Sequence, residues 1–375
     1  MRLTQRLDLI KLVTLLGMLC SVLLSHNLWA GQRWFPRVPL FEGFIPLQAP
    51  YDFVYFGLLI LFIVLAFVSQ SKTWVVILIL FNVFLCIDDQ NRLQPWFYNY
   101  NLILLIFLFY KNRVDEPNNY TSVFISIQLL VALVYIYSGL QKLNTLFVSQ
   151  TFDWMISPLS TMFSERQMGI FHKLGYAVPY VEMFTGLALL FRSLRFIAVP
   201  LIILMHVFIL VMLGPLGKSY NYVVWPWNIT MIVLNLLLFS GVQVERFFDI
   251  SILFRSACFY IVVTLMLIFP FFSFNNKYDS YLSSSLYSAN THDCKLILSD
   301  KSYNNLPFYI RHYVNQGSDN NVLYIKHWAI EELKVPCVPE YRIFTYLHTY
   351  IMKLTNSDEQ DVKMEFTERE KILNF

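Results

Sequence analysis

Charge is what this chain has least of: 14% of its 375 residues are Asp, Glu, Lys or Arg, against about 25% in a soluble globular protein. A water-soluble body is thereby excluded for most of the length. The net charge is only +3 and no basic stripe occurs, so nucleic acid, which needs clustered Lys and Arg to neutralise phosphates, is excluded as a partner. The five cysteines, Cys20, Cys86, Cys258, Cys294 and Cys337, form no Cys-x-x-Cys pair. His292 beside Cys294 is an isolated polar cluster, and no metal centre is predicted. No Ala-x-Ala site ends the first apolar run behind Arg2 and Arg6, which reads as a retained anchor and not as a cleaved signal. A second copy of the helix pattern is also lacking, which argues against a transporter built from repeats.

Apolar residues make up 57% of the chain and its mean hydropathy is +0.51. Of the 53 charged residues, 24 fall in the last 101 positions, so the chain divides into a membrane part, 1–274, and a wet tail, 275–375. A helix crosses the hydrocarbon core in roughly 20 apolar residues. Runs of that kind are expected near 8–28, 52–70, 73–88, 95–110, 120–140, 173–191, 195–214, 222–240 and 252–273. The fold class expected is an all-α polytopic membrane bundle of about nine transmembrane helices with a small α+β extramembrane C-terminal region. With the N-terminus cytoplasmic, the inner segments hold Arg2, Arg6, Lys11, Lys72, Lys111, Arg113, Arg192, Arg195, Arg246 and Arg255, ten against seven outside, the sense of the positive-inside rule. The tail is then extracytoplasmic, and the expected location is a bacterial inner membrane, with the lipid bilayer as partner. In the tail, Leu296-Ile-Leu298 and Val322-Leu-Tyr-Ile325 read as strands, and the charged stretch 358–371 as a frayed end. Cys294 and Cys337 either form one disulfide, worth roughly 3–4 kcal/mol by loop entropy, or remain two free thiols.

A charge kept in hydrocarbon costs at least about 2.5–3.5 kcal/mol and asks for a reason. Lys142, at the end of Tyr135-Ile-Tyr-Ser-Gly-Leu-Gln-Lys142-Leu143, is either a snorkelling anchor or a buried base, since a desolvated amine gives up its charge easily. Glu182, in Pro179-Tyr-Val-Glu-Met-Phe-Thr-Gly186, is the candidate partner for an intramembrane cation. His206 is either a satisfied core histidine or a catalytic one. Two aromatic segments, Ile87-Asp-Asp-Gln-Asn-Arg-Leu-Gln-Pro-Trp96-Phe-Tyr98-Asn-Tyr100 and Tyr222-Val-Val-Trp-Pro-Trp227-Asn228, fall toward the same outer half as Lys142, with Asn228 expected to point into the bundle. Interfacial aromatic belts account for such rings without any function.

The Tyr-Ser-Gly-Leu-Gln-Lys142-Leu stretch, the Asp-Gln-Asn-Arg-Leu-Gln-Pro-Trp-Phe-Tyr stretch and the Pro-x-x-Glu182 turn resemble the HTTM family, the membrane domain shared with vitamin K-dependent gamma-carboxylase, over roughly residues 8–275. The resemblance implies a vitamin K-like reduced quinone as cofactor and Lys142 as the base that deprotonates it. Lys142, Glu182 and His206 are then the catalytic set, and Trp96, Tyr98, Tyr100, Trp227 and Asn228 the quinone-binding set. Oxygenating a quinol anion in a water-poor pocket yields a base strong enough for a carbon-bound proton. The chain departs from the carboxylases in having Trp96 and Phe97 where they carry an Asn-His pair, and Phe147-Val-Ser-Gln150 where a Trp-x-x-Gly follows their Lys-Leu. A second, weaker resemblance is to DoxX-like membrane proteins, on residues 182–195 and 286–290, and implies a quinone-linked or assembly subunit without turnover. The enzyme reading expects Lys142 buried among polar partners at a cavity that opens outward, acting on an extracytoplasmic substrate; the subunit reading expects Lys142 exposed with no cavity reaching it.

Overall fold

The computed structural model describes residues 2–69, 71–110, 117–241, 254, 256–317 and 320–369. Lys111, Arg113, Arg246 and Arg255, on which part of the orientation argument rests, lie outside these residues. The membrane part is helical: α1 Leu3–Leu24, α2 Tyr51–Val68, α3 Lys72–Asp88, α4 Pro95–Phe107, α5 Pro117–Gln141, α6 Glu165–Gly175, α7 Val178–Leu189, α8 Arg195–Leu213, α9 Val224–Phe239 and α10 Ala257–Val262. The last continues through a wider π turn, Val263–Ile268, toward Asn275.

Among the described residues the nine crossings expected are not supported; five helices are long and apolar enough to cross a membrane: Leu3–Leu24, Tyr51–Val68, Asn119–Gln141, Arg192–Leu213 and Ala257–Asn275. The run expected from 95 starts at Pro95 but ends at Phe107, after 13 residues. Proline explains another shortfall, because its fixed φ and missing N–H suit a helix start and not its interior. Pro179 opens α7, which runs 12 residues, so the run expected at 173–191 is split between α6 and α7. Twelve residues at 1.5 Å each span only about 18 Å.

The tail folds as a four-stranded antiparallel sheet of order β2-β3-β1-β4, made of β1 Asp293–Leu298, β2 Val314–Gln316, β3 Asn321–Tyr324 and β4 Val362–Thr367. Both expected strand segments are strands, except that Ile325 starts a helix, α11 Ile325–Leu333. Cys294, Leu296 and Leu298 alternate inward along β1 and meet Trp328 of α11 and Phe344, Leu347 and Ile351 of α12 Tyr341–Thr355. The expected frayed end is corrected: β4 pairs with β1 over six residues, from Asp293↔Thr367 to Leu298↔Val362. Beyond it, the buried Arg369 donates to Asn276 Oδ1 (2.6 Å), Ser280 Oγ (2.8 Å) and Tyr278 O (2.8 Å). Residues 370–375, the last of the stretch expected to fray, lie outside the described residues. Cys294 and Cys337 are free, and burial pushes each thiol up to about 12.

The tail is clamped onto the membrane part by the polar segment 87–94, where one apolar core runs through both. Arg92, 1% exposed, pairs with Asp88 at 2.7 Å and donates to three main-chain carbonyls, those of Leu85, Trp29 and Leu28; Arg33 pairs with Asp89. Around these ions, Val338 N donates to Asn91 Oδ1 (3.2 Å), Gln94 Nε2 to Pro336 O (2.9 Å) and Arg342 Nε to Gln90 Oε1 (2.6 Å). Glu332 of α11 accepts from both Trp34 N and Phe35 N at 2.6 Å. The charges of this segment are structural: each buried ion has its counter-ion, Arg92 its carbonyls, and Asp88 and Asp89 main-chain N–H donors from Leu47, Val38 and Asn91.

Candidate functional site

On α5, Tyr135, Ser138 and Lys142 are spaced i, i+3, i+7 and share one face. Gly139 lets α7 approach that face. A Cβ there would lie 2.6 Å from Pro179 O and 2.7 Å from Met183 N, and one on Gly186 would lie 2.8 Å from Ala132 O. The two backbones therefore touch, as small residues allow between membrane helices. The crossing delivers Glu182 to Lys142: Nζ to Oε2 is 2.6 Å, and Nζ also donates to Ser138 Oγ at 2.6 Å and Ser138 O at 3.3 Å. The side chains are 11% and 7% exposed. Lys142 thus turns inward to a counter-ion and does not snorkel.

The pair faces a cavity of about 600 Å³, lined almost wholly by apolar side chains. Tyr135, Ser138, Thr185, His206, Asn228 and Asn99 are among its polar lining residues. Lys142 and Glu182 cancel in charge, so the cavity is neutral overall. Four side chains on α5, α8 and α9 form a chain of hydrogen bonds in its wall. Asn235 Nδ2 donates to Tyr135 Oη (2.7 Å), Tyr135 Oη meets His206 Nε2 (2.8 Å), and His206 Nδ1 meets Asn228 Oδ1 (2.7 Å), while Asn228 Nδ2 donates to Val224 O (2.7 Å). Since the Asn228 amide N–H is used on the carbonyl, its oxygen must accept. His206 therefore carries its proton on Nδ1, and Nε2 accepts from the Tyr135 hydroxyl, an assignment by partners. Both ring nitrogens are hydrogen-bonded, so His206 is held in the cavity wall by its partners.

Asn99 differs. Its Nδ2 donates to Pro95 O at 2.8 Å, and its Oδ1 is buried in the cavity wall without a hydrogen-bond partner. A buried acceptor left so costs roughly 1–3 kcal/mol. Toward the tail, the loop 284–290 closes the cavity with Ser284, Leu286 and Tyr287. Ser284, Tyr287 and Ala289 there have φ of 60°, 56° and 59°, a left-handed conformation that non-glycine residues adopt only when held.

Of the residues singled out from sequence, Lys142, Glu182, His206, Trp227 and Asn228 all line this cavity. Trp96, Tyr98 and Tyr100 do not. On α4 it is Pro95 and Asn99, one turn apart, that face the cavity, and this turns Trp96 and Tyr100 onto the adjacent, core face. Trp96 and Tyr100 are 2% and 0% exposed; the Tyr100 ring packs on Trp227 at 5.2 Å and its hydroxyl donates to Thr230 at 3.3 Å. Tyr98 packs in the core against its neighbours. Sequence reasoning missed Tyr135, Ser138, Asn99 and Asn235, although the i, i+3, i+7 spacing from Tyr135 to Lys142 was visible. Among the described residues no three His, Cys, Asp or Glu side chains are grouped to hold a metal ion. Compared with known protein families, with curated proteins and with solved structures, the chain matches none.

Proposed function

We propose that this is an integral membrane enzyme that binds a lipophilic quinol in the cavity and uses the Lys142–Glu182 pair to take the first proton from its hydroxyl. One observation carries the reading: an ammonium and a carboxylate, 2.6 Å apart and nearly buried, front an apolar cavity large enough for a ring compound. Cavities of about 300–1,000 Å³ with few, placed polar groups are the usual form of small-molecule sites. When the pair takes a proton it goes from neutral to a single positive charge, whichever partner holds the proton, opposite the ligand oxyanion. The water-poor wall strengthens that attraction. The base is thus the pair and not Lys142 alone. A bound quinol supplies two electrons and two protons, which molecular oxygen takes up as hydrogen peroxide while the quinone is released.

The reading agrees with the resemblance to the carboxylase membrane domain. We take the membrane to be a bacterial inner membrane with the tail extracytoplasmic, on the Lys/Arg balance alone. The second reading, a quinone-linked or assembly subunit without turnover, is favoured by the donation of Lys142 Nζ to both Glu182 and Ser138, which leaves the resting amine no lone pair. Oxygen-dependent oxidation of reduced naphthoquinone by membranes carrying the wild type, Lys142→Met, Glu182→Gln or the double variant separates the two. Under the enzyme reading the wild type turns over and every variant falls by about 100-fold or more; equal rates in all four, or none in the wild type, leave the subunit reading.

A further inference from the structure

The cavity is bounded on two sides, and only one is closed. Toward the tail the loop 284–290 is tied down: Asn144 Nδ2 donates to Ser288 O (2.8 Å), Asn290 Nδ2 to Gln141 Oε1 (2.6 Å) and Asn221 Nδ2 to Tyr287 Oη (2.8 Å). Gln141 is itself fixed by donating to Ser273 Oγ at 2.7 Å. On the opposite side Leu174 of α6, Val181 of α7 and Leu204 of α8 line the cavity and are nevertheless 55%, 44% and 64% exposed. Positions 174 on α6, 178 and 181 on α7, and 201, 204, 205 and 208 on α8 make up the lining on this side. Residues that line a cavity and stay this exposed mark an opening, a slot between α6–α7 and α8. Toward the turn joining α7 and α8, Ala188, Leu189 and Ala198 are at most 1% exposed.

The outer surface beside the slot is apolar as well. Phe184 on α7 and Val207 and Val211 on α8 are exposed, and α8 lies within one of the membrane-length helices. That face therefore meets hydrocarbon and not water.

We propose that the slot between α6–α7 and α8 is a lateral portal for a hydrocarbon chain, so that the ligand is a chain-bearing amphiphile whose small hydroxylated head sits at the Lys142–Glu182 pair while its chain stays among the lipids. The inference rests on the reading of this cavity as the working site, and it adds the route and the chain. A volume of about 600 Å³ accommodates a ring head of drug-like size, so a long chain must lie outside it. The head also has to be uncharged on arrival, because it crosses apolar side chains to reach a neutral pair.

The test is anaerobic photolabelling of the full chain in phosphatidylcholine vesicles with a reduced naphthoquinone (naphthoquinol) whose saturated side chain carries a diazirine close to the ring. Label is expected on the peptides holding 174–181 and 201–208. Leu204→Trp, which fills the slot from a lipid-facing position, lowers it by about tenfold, the effect of overpacking by one large side chain. Leu204→Ala leaves the slot open and keeps the label, which separates narrowing from misfolding. Label spread evenly over the lipid-facing helices, or unchanged by Leu204→Trp, overturns the portal. The two readings fail separately: label at the slot with no quinol oxidation removes the enzyme and keeps the portal, whereas oxidation of a chainless naphthoquinol with no label at the slot removes the portal and keeps the enzyme.

Discussion

The Lys142–Glu182 pair makes its strongest prediction through stability. Lys142→Met leaves a carboxylate against an apolar cavity, and among the described residues Lys142 is that carboxylate's one hydrogen-bond partner. Removing one member of a buried pair costs about 3–5 kcal/mol, whereas replacing both with neutral groups is close to neutral. Glu182→Gln leaves an ammonium that keeps Ser138 Oγ and O, so its loss is smaller, about 3 kcal/mol. The double variant is expected within about 1–2 kcal/mol of wild type, far from the sum of the singles.

Unfolding by sodium dodecyl sulfate in mixed micelles reads the two single variants and the double variant side by side. Single losses under about 1 kcal/mol, the range of exposed pairs, or losses that simply add in the double variant, would refute the buried pair.

Gly139→Ala should lose about 1–3 kcal/mol in the same titration, because the new Cβ meets main-chain atoms and the helices must part; Gly57→Ala on α2, with nothing within 4 Å, should hold or gain stability, and equal behaviour of the two defeats the crossing. His292 accepts from Arg369 N at 3.1 Å, and burial, followed by the Arg369 guanidinium, pushes it from 6.5 down to about 4. The unfolded chain then binds a proton that the folded chain refuses, so the tail is destabilised as pH falls from about 6.5 to 4, and His292→Gln should flatten that part of the unfolding profile; identical profiles count against it. At pH 8, thiols raised to about 12 hold on the order of one part in 10⁴ as thiolate, so iodoacetamide should leave Cys294 and Cys337 unmodified until the tail unfolds, and fast modification would show that they are accessible.

How far the sequence could be read depended on how exceptional each residue was. Lys142 and Glu182 were legible because a charge in an apolar run has no bland explanation beyond snorkelling. The tail strands were legible from short apolar stretches bounded by Ser, Asn and Gly. The charges at 87–92 were equally conspicuous yet turned out structural, since nothing in the local sequence announces that Arg33 will meet Asp89 or that the carbonyls of Leu28 and Trp29 will meet Arg92. Helix length was overestimated where hydropathy does not register that proline restarts a helix, as at Pro179. The aromatics Trp96, Tyr98 and Tyr100 were assigned to the ligand by their chemistry, although the phase of α4 puts Pro95 and Asn99 on the cavity instead.

The neutral amides Asn99 and Asn235 were silent for a different reason, and it bears on how the site is built. Asn99, Asn228 and Asn235 each spend Nδ2 on the carbonyl four residues back, those of Pro95, Val224 and Met231, at 2.7–2.8 Å. To a sequence reader such a residue is an asparagine satisfied by its own helix, and of the three only Asn228, beside its aromatic segment, stood out. Yet the same bond fixes the rotamer, so each Oδ1 is aimed away from the backbone as an acceptor that cannot turn. At Asn228 that acceptor fixes the His206 tautomer, and Asn235 holds the Tyr135 hydroxyl that meets His206 Nε2. Backbone geometry, and not a charged motif, therefore supplies the preorganised wall, and the charged pair supplies the place for the proton. A ligand that enters this apolar cavity must arrive uncharged, which is the chemistry of a hydroxylated ring more than that of a phosphate or a carboxylate.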